Sequence, residues 1–109
     1  MTTIVYLDNW VDAREKNREH PDTFALPPEH LVQRLRKGWT VKICNGEERF
    51  WTTVLHIEGE KVIGEVDNWL LGEKEYNYES LVQFEKRHIY QIHTKGDLKK
   101  IAKEMKKKL

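Results

Sequence analysis

Gly38-Trp39-Thr40-Val41-Lys42-Ile43-Cys44-Asn45-Gly46-Glu47-Glu48-Arg49-Phe50-Trp51-Thr52-Thr53-Val54-Leu55-His56-Ile57-Glu58-Gly59-Glu60-Lys61-Val62-Ile63-Gly64-Glu65-Val66 is the stretch that decides the fold. Val41 and Ile43 alternate with Lys42 at the two-residue period of a half-buried strand. Asn45-Gly46 is a hairpin turn signal, because both residue types tolerate positive φ. Phe50–Ile57 is apolar at both parities, with Phe50, Thr52 and Val54 on one side and Trp51, Thr53, Leu55 and Ile57 on the other. Such a strand is expected to be covered on both faces. Glu58-Gly59-Glu60 makes the next turn and Lys61–Val66 a third strand, in which Gly64 suggests a bulge or bend. The result is an antiparallel meander of the kind that curls into a small barrel.

Outward from the meander, residues 2–7 read as a short strand or an ordered arm, and Asp8 or Asn9 as a helix cap. A helix over Trp10–His20 is expected to pack through its first turn and to stop at Pro21. Phe24 and Leu26 of the 21–28 connector are expected to dip into the core. Pro28 suits the first turn of a second helix, Glu29–Lys37, capped by Gly38. Residues 67–79 lack periodicity and form the longest loop. Ser80–Phe84 and His88–Ile92 read as fourth and fifth strands. Thr94-Lys95-Gly96-Asp97 has the form of a capping box opening a last helix with Leu98, Ile101, Ala102, Met105 and Leu109 at helical spacing. The expected fold is α+β: a bent five-stranded antiparallel sheet approaching an SH3-like barrel, with two N-terminal helices and one C-terminal amphipathic helix. Residues 1–94 form the barrel-like domain, and residues 95–109 a lysine-rich helix packed on it.

A chain of 109 residues is one domain on length. Its single cysteine, Cys44, has no internal partner for a disulfide, which favours a reducing compartment. No apolar run reaches the ~20 residues of a membrane span, and residues 1–8 carry no basic leader, so a cytoplasmic location is expected. The net charge of +1 divides unevenly. Seven lysines face two acids in residues 95–109, about +5, while twelve basic and sixteen acidic residues leave the body at about −4.

Motifs for chemistry are sparse. The five histidines show no i,i+4 pair and no cysteine or carboxylate ladder beside them, so no metal and no cofactor is expected. There is no nucleophile elbow, phosphate loop or dinucleotide fingerprint. Asp67-Asn68-Trp69, a polar pair and an aromatic at a strand end, is either a turn or the seed of a site. Of four tryptophans, Trp51 is expected in the core, Trp10 and Trp39 pin helices, and Trp69 is the candidate contact residue. The lysine helix has three readings: a solvated face over a docked Leu98/Ile101/Met105 stripe, a phosphate-binding surface, or a membrane-surface contact.

The strings Glu48-Arg49-Phe50-Trp51-Thr52-Thr53-Val54, Gly64-Glu65-Val66-Asp67-Asn68 and Val82-Gln83-Phe84-Glu85-Lys86-Arg87-His88-Ile89-Tyr90, with His20-Pro21-Asp22-Thr23-Phe24 and Leu26-Pro27 upstream, resemble the YegJ-like group, small bacterial domains of unknown function. The resemblance spans about residues 12–92. It departs at Tyr78-Glu79-Ser80, where a Gly-Asp step is common, and leaves the C-terminal helix outside. It implies a compact β-rich domain and carries over no catalytic residue.

The expected function is therefore a non-enzymatic module that binds another protein through loop 67–79, with Trp69, Tyr76, Tyr78, Asn68 and Arg49 as candidate contacts. The alternative is nucleic-acid binding through Lys99, Lys100, Lys103, Lys106 and Lys107. An enzyme with a site near Asp67 and Asn68 stands third. A monomer or weak homo-oligomer is expected.

Overall fold

A computed structural model describes residues 3–6, 9–71 and 75–108 of the chain. Six strands form one mixed sheet: β1 (Ile4–Tyr6), β2 (Thr40–Cys44), β3 (Arg49–Glu58), β4 (Lys61–Val66), β5 (Leu81–Glu85) and β6 (Gln91–His93). Their order is β1-β5-β4-β3-β2-β6. The meander is antiparallel as its turns require, and β1 adds to β5 in parallel. This corrects the expected five strands to six. It also corrects the barrel, since β1 and β6 are three-residue edges at opposite ends of an open sheet. Closure requires the terminal strands to pair with each other.

The hairpin turn forms where Asn45-Gly46 signals it. Gly46 holds φ +96°, and the Asn45 Oδ1 accepts the backbone N–H groups of Glu47 and Glu48, each at 2.9 Å. Register then separates two faces. Val41, Ile43, Phe50, Thr52, Val54, Val62, Val66, Val82 and Phe84 are fully buried on one. Trp10, Val32, Leu35, Leu70 and Tyr76 come from outside the sheet to complete that core. Trp10 is oriented by its indole N–H, which donates to the Gln83 carbonyl at 2.8 Å.

The opposite face differs from expectation. Lys42, Trp51, Thr53, Ile63, Glu65, Leu81 and Gln83 are half-buried rather than covered. Trp51 is supported sideways: its ring stacks on His93 at 4.3 Å, and the Lys42 Nζ lies 4.9 Å from its centroid. Cross-strand neighbours of this kind stabilise an aromatic without a second layer.

The register shift falls in β3 between Val54 and His56, not at Gly64. Gly64 stays paired with Val54 and Val82, and a Cβ there would meet the Thr52 Oγ1 at 2.8 Å and the Phe84 Cε1 at 3.1 Å. The glycine serves packing.

The helices are shorter than the apolar patterns suggest. α1 spans Ala13–Glu19, capped by Asp12, whose Oδ1 accepts the Glu15 N–H at 2.9 Å. Asp12, not Asn9, is therefore the cap; Asp8 lies outside the described residues. α2 spans only Glu29–Gln33, because Leu35 turns into the core and Gly38, at φ +93°, donates its N–H to the Val54 carbonyl at 2.8 Å. The third helix, α3, spans Lys95–Lys108 and opens with the expected box: Thr94 N–H to the Asp97 Oδ2 at 2.9 Å, and Asp97 N–H to the Thr94 Oγ1 at 3.1 Å. The stripe of α3 is not seated on the sheet as expected. Leu98 is half-buried, but Ile101 is 37% and Met105 62% exposed. Among the described residues no helix is long and apolar enough to cross a membrane.

Between β5 and β6 the chain makes a 3-10 turn, Lys86–His88, which delays the last strand from the expected His88 to Gln91. The buried His88 causes this, its Nδ1 accepting the Glu85 N–H at 3.0 Å. Arg87 ties the turn to the α1 cap, reaching the Asp12 Oδ2 at 2.8 Å and the Glu85 Oε2 at 3.1 Å. Burial pushes the Asp12 carboxyl up, but the Glu15 N–H and Arg87 outweigh it and hold it below its ordinary value.

His88 makes the fold pH-sensitive. Burial, with Arg87 beside it, lowers its pKa from the ordinary 6.5. The unfolded chain takes up the proton first as pH falls. The stability held by neutral His88 is thus complete above 6.5 and lost as pH drops through the lower folded value. The urea midpoint is expected to fall between about pH 7.5 and about pH 5. In His88→Asn, whose side-chain carbonyl can accept the same N–H, the fall should be shallower; an identical slope would rule His88 out.

Candidate functional site: the aromatic loop after β4

The loop leaving β4 is bound to the sheet before it reaches solvent. Asp67 N–H donates to the Trp51 carbonyl at 2.9 Å, and the Asn68 Oδ1 accepts the Trp51 N–H at 2.6 Å. Thr53 donates its hydroxyl to the Asp67 Oδ2 at 2.8 Å. Asn68 thus extends the ladder past the strand end with its side chain, and the turn reading of Asp67-Asn68 fits the geometry.

Beyond it, Asn77 bridges the loop: its Oδ1 accepts the Leu70 N–H at 2.8 Å and its Nδ2 donates to the Leu70 carbonyl at 3.4 Å. Leu70 and Tyr76 are buried. Tyr76 lies against Trp10 and Phe50 at 5.8 and 6.1 Å, and its hydroxyl accepts the Asn45 Nδ2 at 3.1 Å. Returning, Glu79 donates its N–H to the Val66 carbonyl at 2.8 Å while holding φ +72°. For a non-glycine residue that conformation costs about 1–2 kcal/mol, and such positions cluster at functional sites.

What this frame presents is apolar. Trp69 is 76% and Leu71 75% exposed, and Tyr78, 40% exposed, stacks on Trp69 at 4.9 Å. The Leu71 N–H is held by the Glu48 Oε1 at 2.9 Å. By sequence, residues 67–79 carry Asp67, Glu73, Glu75 and Glu79 against Lys74. The patch is thus two stacked rings and a leucine on a loop of net negative sequence charge, with a base fixed by hydrogen bonds.

Of the five residues expected to contact a partner, Trp69 and Tyr78 meet at this patch and Asn68 supports it from behind. Tyr76 is a core residue, leaving it no surface to offer. Arg49 lies elsewhere, its guanidinium carbon 5.0 Å from the Phe24 ring and 4.7 Å from the Tyr90 ring. Asp67, Asn68 and Arg49 therefore do not converge on one pocket. Leu71, which the sequence reading passed over, joins the patch; an apolar residue beside Gly72 in a charged loop was the available signal. Lys99, Lys100, Lys103, Lys106 and Lys107 are all exposed on α3.

No family model, curated protein or solved structure matches the chain.

Proposed function

We propose that the chain is a non-enzymatic interaction module, and that the Trp69–Leu71–Tyr78 patch docks a protein segment combining an apolar side chain with lysine or arginine. The supporting observation is a stacked, solvent-facing ring pair on a loop pinned at both ends. Burying apolar residues on a rigid base avoids much of the ordering cost of binding. The net negative charge of residues 67–79 favours a basic partner, and an open indole face attracts a cation. The experiment is capture from nuclease-treated lysate by immobilised protein, comparing wild type with Trp69→Ala and Leu71→Ala. Circular dichroism confirms that each variant is folded. Replacing Trp69 should weaken a specific partner by about 2 kcal/mol, roughly thirtyfold in Kd. Equal retention by wild type and both variants would sink the proposal.

A second reading is supported by α3, whose exposed lysines form no ion pair with a described residue. Nucleic acid held by this face would be released steeply by salt, in proportion to the phosphates contacted. Deleting residues 95–109 should abolish retention on single-stranded DNA; unchanged retention would refute this reading.

A further inference from the structure

A concave site lies on β2 and β3 beside the 21–28 connector. The register of β2 and β3 pairs Lys42 with Trp51 and Cys44 with Arg49, so Lys42 and Arg49 share the half-buried face. The 21–28 connector runs beside them and borders a half-open pocket of about 350 Å³ walled by Phe24, Leu26, Pro27, Tyr90 and Gln91. That volume lies at the small end of ordinary ligand pockets.

Its chemistry is set by two cations and two rings. The Arg49 guanidinium is flanked by Phe24 and Tyr90, whose centroids are 6.2 Å apart. Neither Arg49 nor Lys42 forms an ion pair with a carboxylate among the described residues. A guanidinium laid over two adjoining rings is steered by both, and its edge N–H groups match a planar, bidentate oxyanion. The Lys42 ammonium, held over Trp51, supplies a second positive charge. Tyr90 also borders the pocket. Its hydroxyl is buried without a hydrogen-bond partner, an arrangement that costs about 1–3 kcal/mol. Burial also pushes its pKa up, keeping it neutral and able to donate.

We infer that this pocket binds a small molecule carrying a carboxylate or phosphate group on a compact, flat or apolar body, with Arg49 gripping the oxyanion, Lys42 adding charge and the Phe24–Pro27 wall covering the body. The site is independent of the aromatic loop.

The test uses the full chain followed by backbone amide NMR, titrated in separate arms with inorganic phosphate and with benzoate, and with sodium chloride as the ionic-strength control. At least one of the two oxyanions should give saturable shifts clustered on Thr23, Arg49, Tyr90 and Gln91, and the arm that saturates identifies the preferred group. Arg49→Gln should raise the dissociation constant about tenfold or more. Arg49→Lys, which keeps charge but not the fork, should recover part of it. Lys42→Gln gives a second variant should Arg49→Gln fail to fold, and it should weaken binding severalfold. Absence of saturable shifts in both arms, shifts equal to those with chloride, or shifts centred on the α3 lysines would overturn the inference. None of these outcomes depends on Trp69 or Leu71.

Discussion

Phe50→Ala is expected to cost about 3–5 kcal/mol, whereas Trp51→Ala, one position along the same strand, should cost about 1–2 kcal/mol. Phe50 is 1% exposed and sits among Trp10, Tyr76 and the valines of β2 to β5. Its removal leaves a cavity lined by groups fixed in a ladder. Trp51 loses a stack on His93 and a lysine neighbour, but solvent fills its place. Against a typical total of 5–15 kcal/mol, the first variant brings the chain close to unfolding at ambient temperature and the second does not. Urea midpoints at unchanged slope measure both. Equal losses would mean that both faces of the sheet are covered, contrary to the register and burial described above.

The second large effect has the opposite sign from propensity. Gly64→Ala in a strand interior ordinarily gains about 0.5–1 kcal/mol. Here the new methyl would lie 2.8 Å from the Thr52 Oγ1, 3.0 Å from the Thr52 Cβ and 3.1 Å from the Phe84 Cε1. Thr52 and Phe84 are buried at 0% and 2% exposure, in a row that has no slack. A net loss of about 1–3 kcal/mol is expected. Combining it with Thr52→Ala removes one of the clashing atoms at little cost, because the Thr52 hydroxyl reaches the Val41 carbonyl only at 3.5 Å. The pair should therefore lose less than the sum of the two single changes. A stabilised Gly64→Ala protein would remove the packing role assigned to this glycine.

Both expectations bear on function because the sheet is the shared base of the two proposed sites. The Trp51 backbone holds Asn68 and through it the aromatic loop. The Trp51 ring supports Lys42 at the mouth of the Arg49 pocket. A mild Trp51→Ala variant thus tests the pocket separately from the loop, whose hydrogen bonds to residue 51 are made by the main chain.

Legibility in the sequence followed interaction range. The hairpin at Asn45-Gly46, the stop before Pro21 and the Thr94–Asp97 box are all closed by groups within three or four positions of each other, and all are present. Trp69 and Tyr78 were also legible, as aromatics in an aperiodic, charged loop. Tyr76 in the same loop was not distinguishable from them, since its burial depends on Trp10 and Phe50, far away in the chain. The short end of α2 and the late start of β6 escaped for a related reason. Gly38 bonds to Val54, and the His88 side chain takes the backbone N–H that a continued strand would have used.

Taken alone, the order of residues determined the hairpin turns, the three strands of the central meander and the class of fold that results, because dihedral preference and period-two patterning are local properties. Three-dimensional packing alone decided that the sheet stays open with β1 added in parallel, that Trp51 and Phe50 experience different surroundings, and that Arg49 lies over the Phe24 and Tyr90 rings rather than beside Asn68. Those outcomes depend on strand order and on which segments cover which face. Both are set by contacts between residues distant in sequence, whose energies no short window of the chain contains.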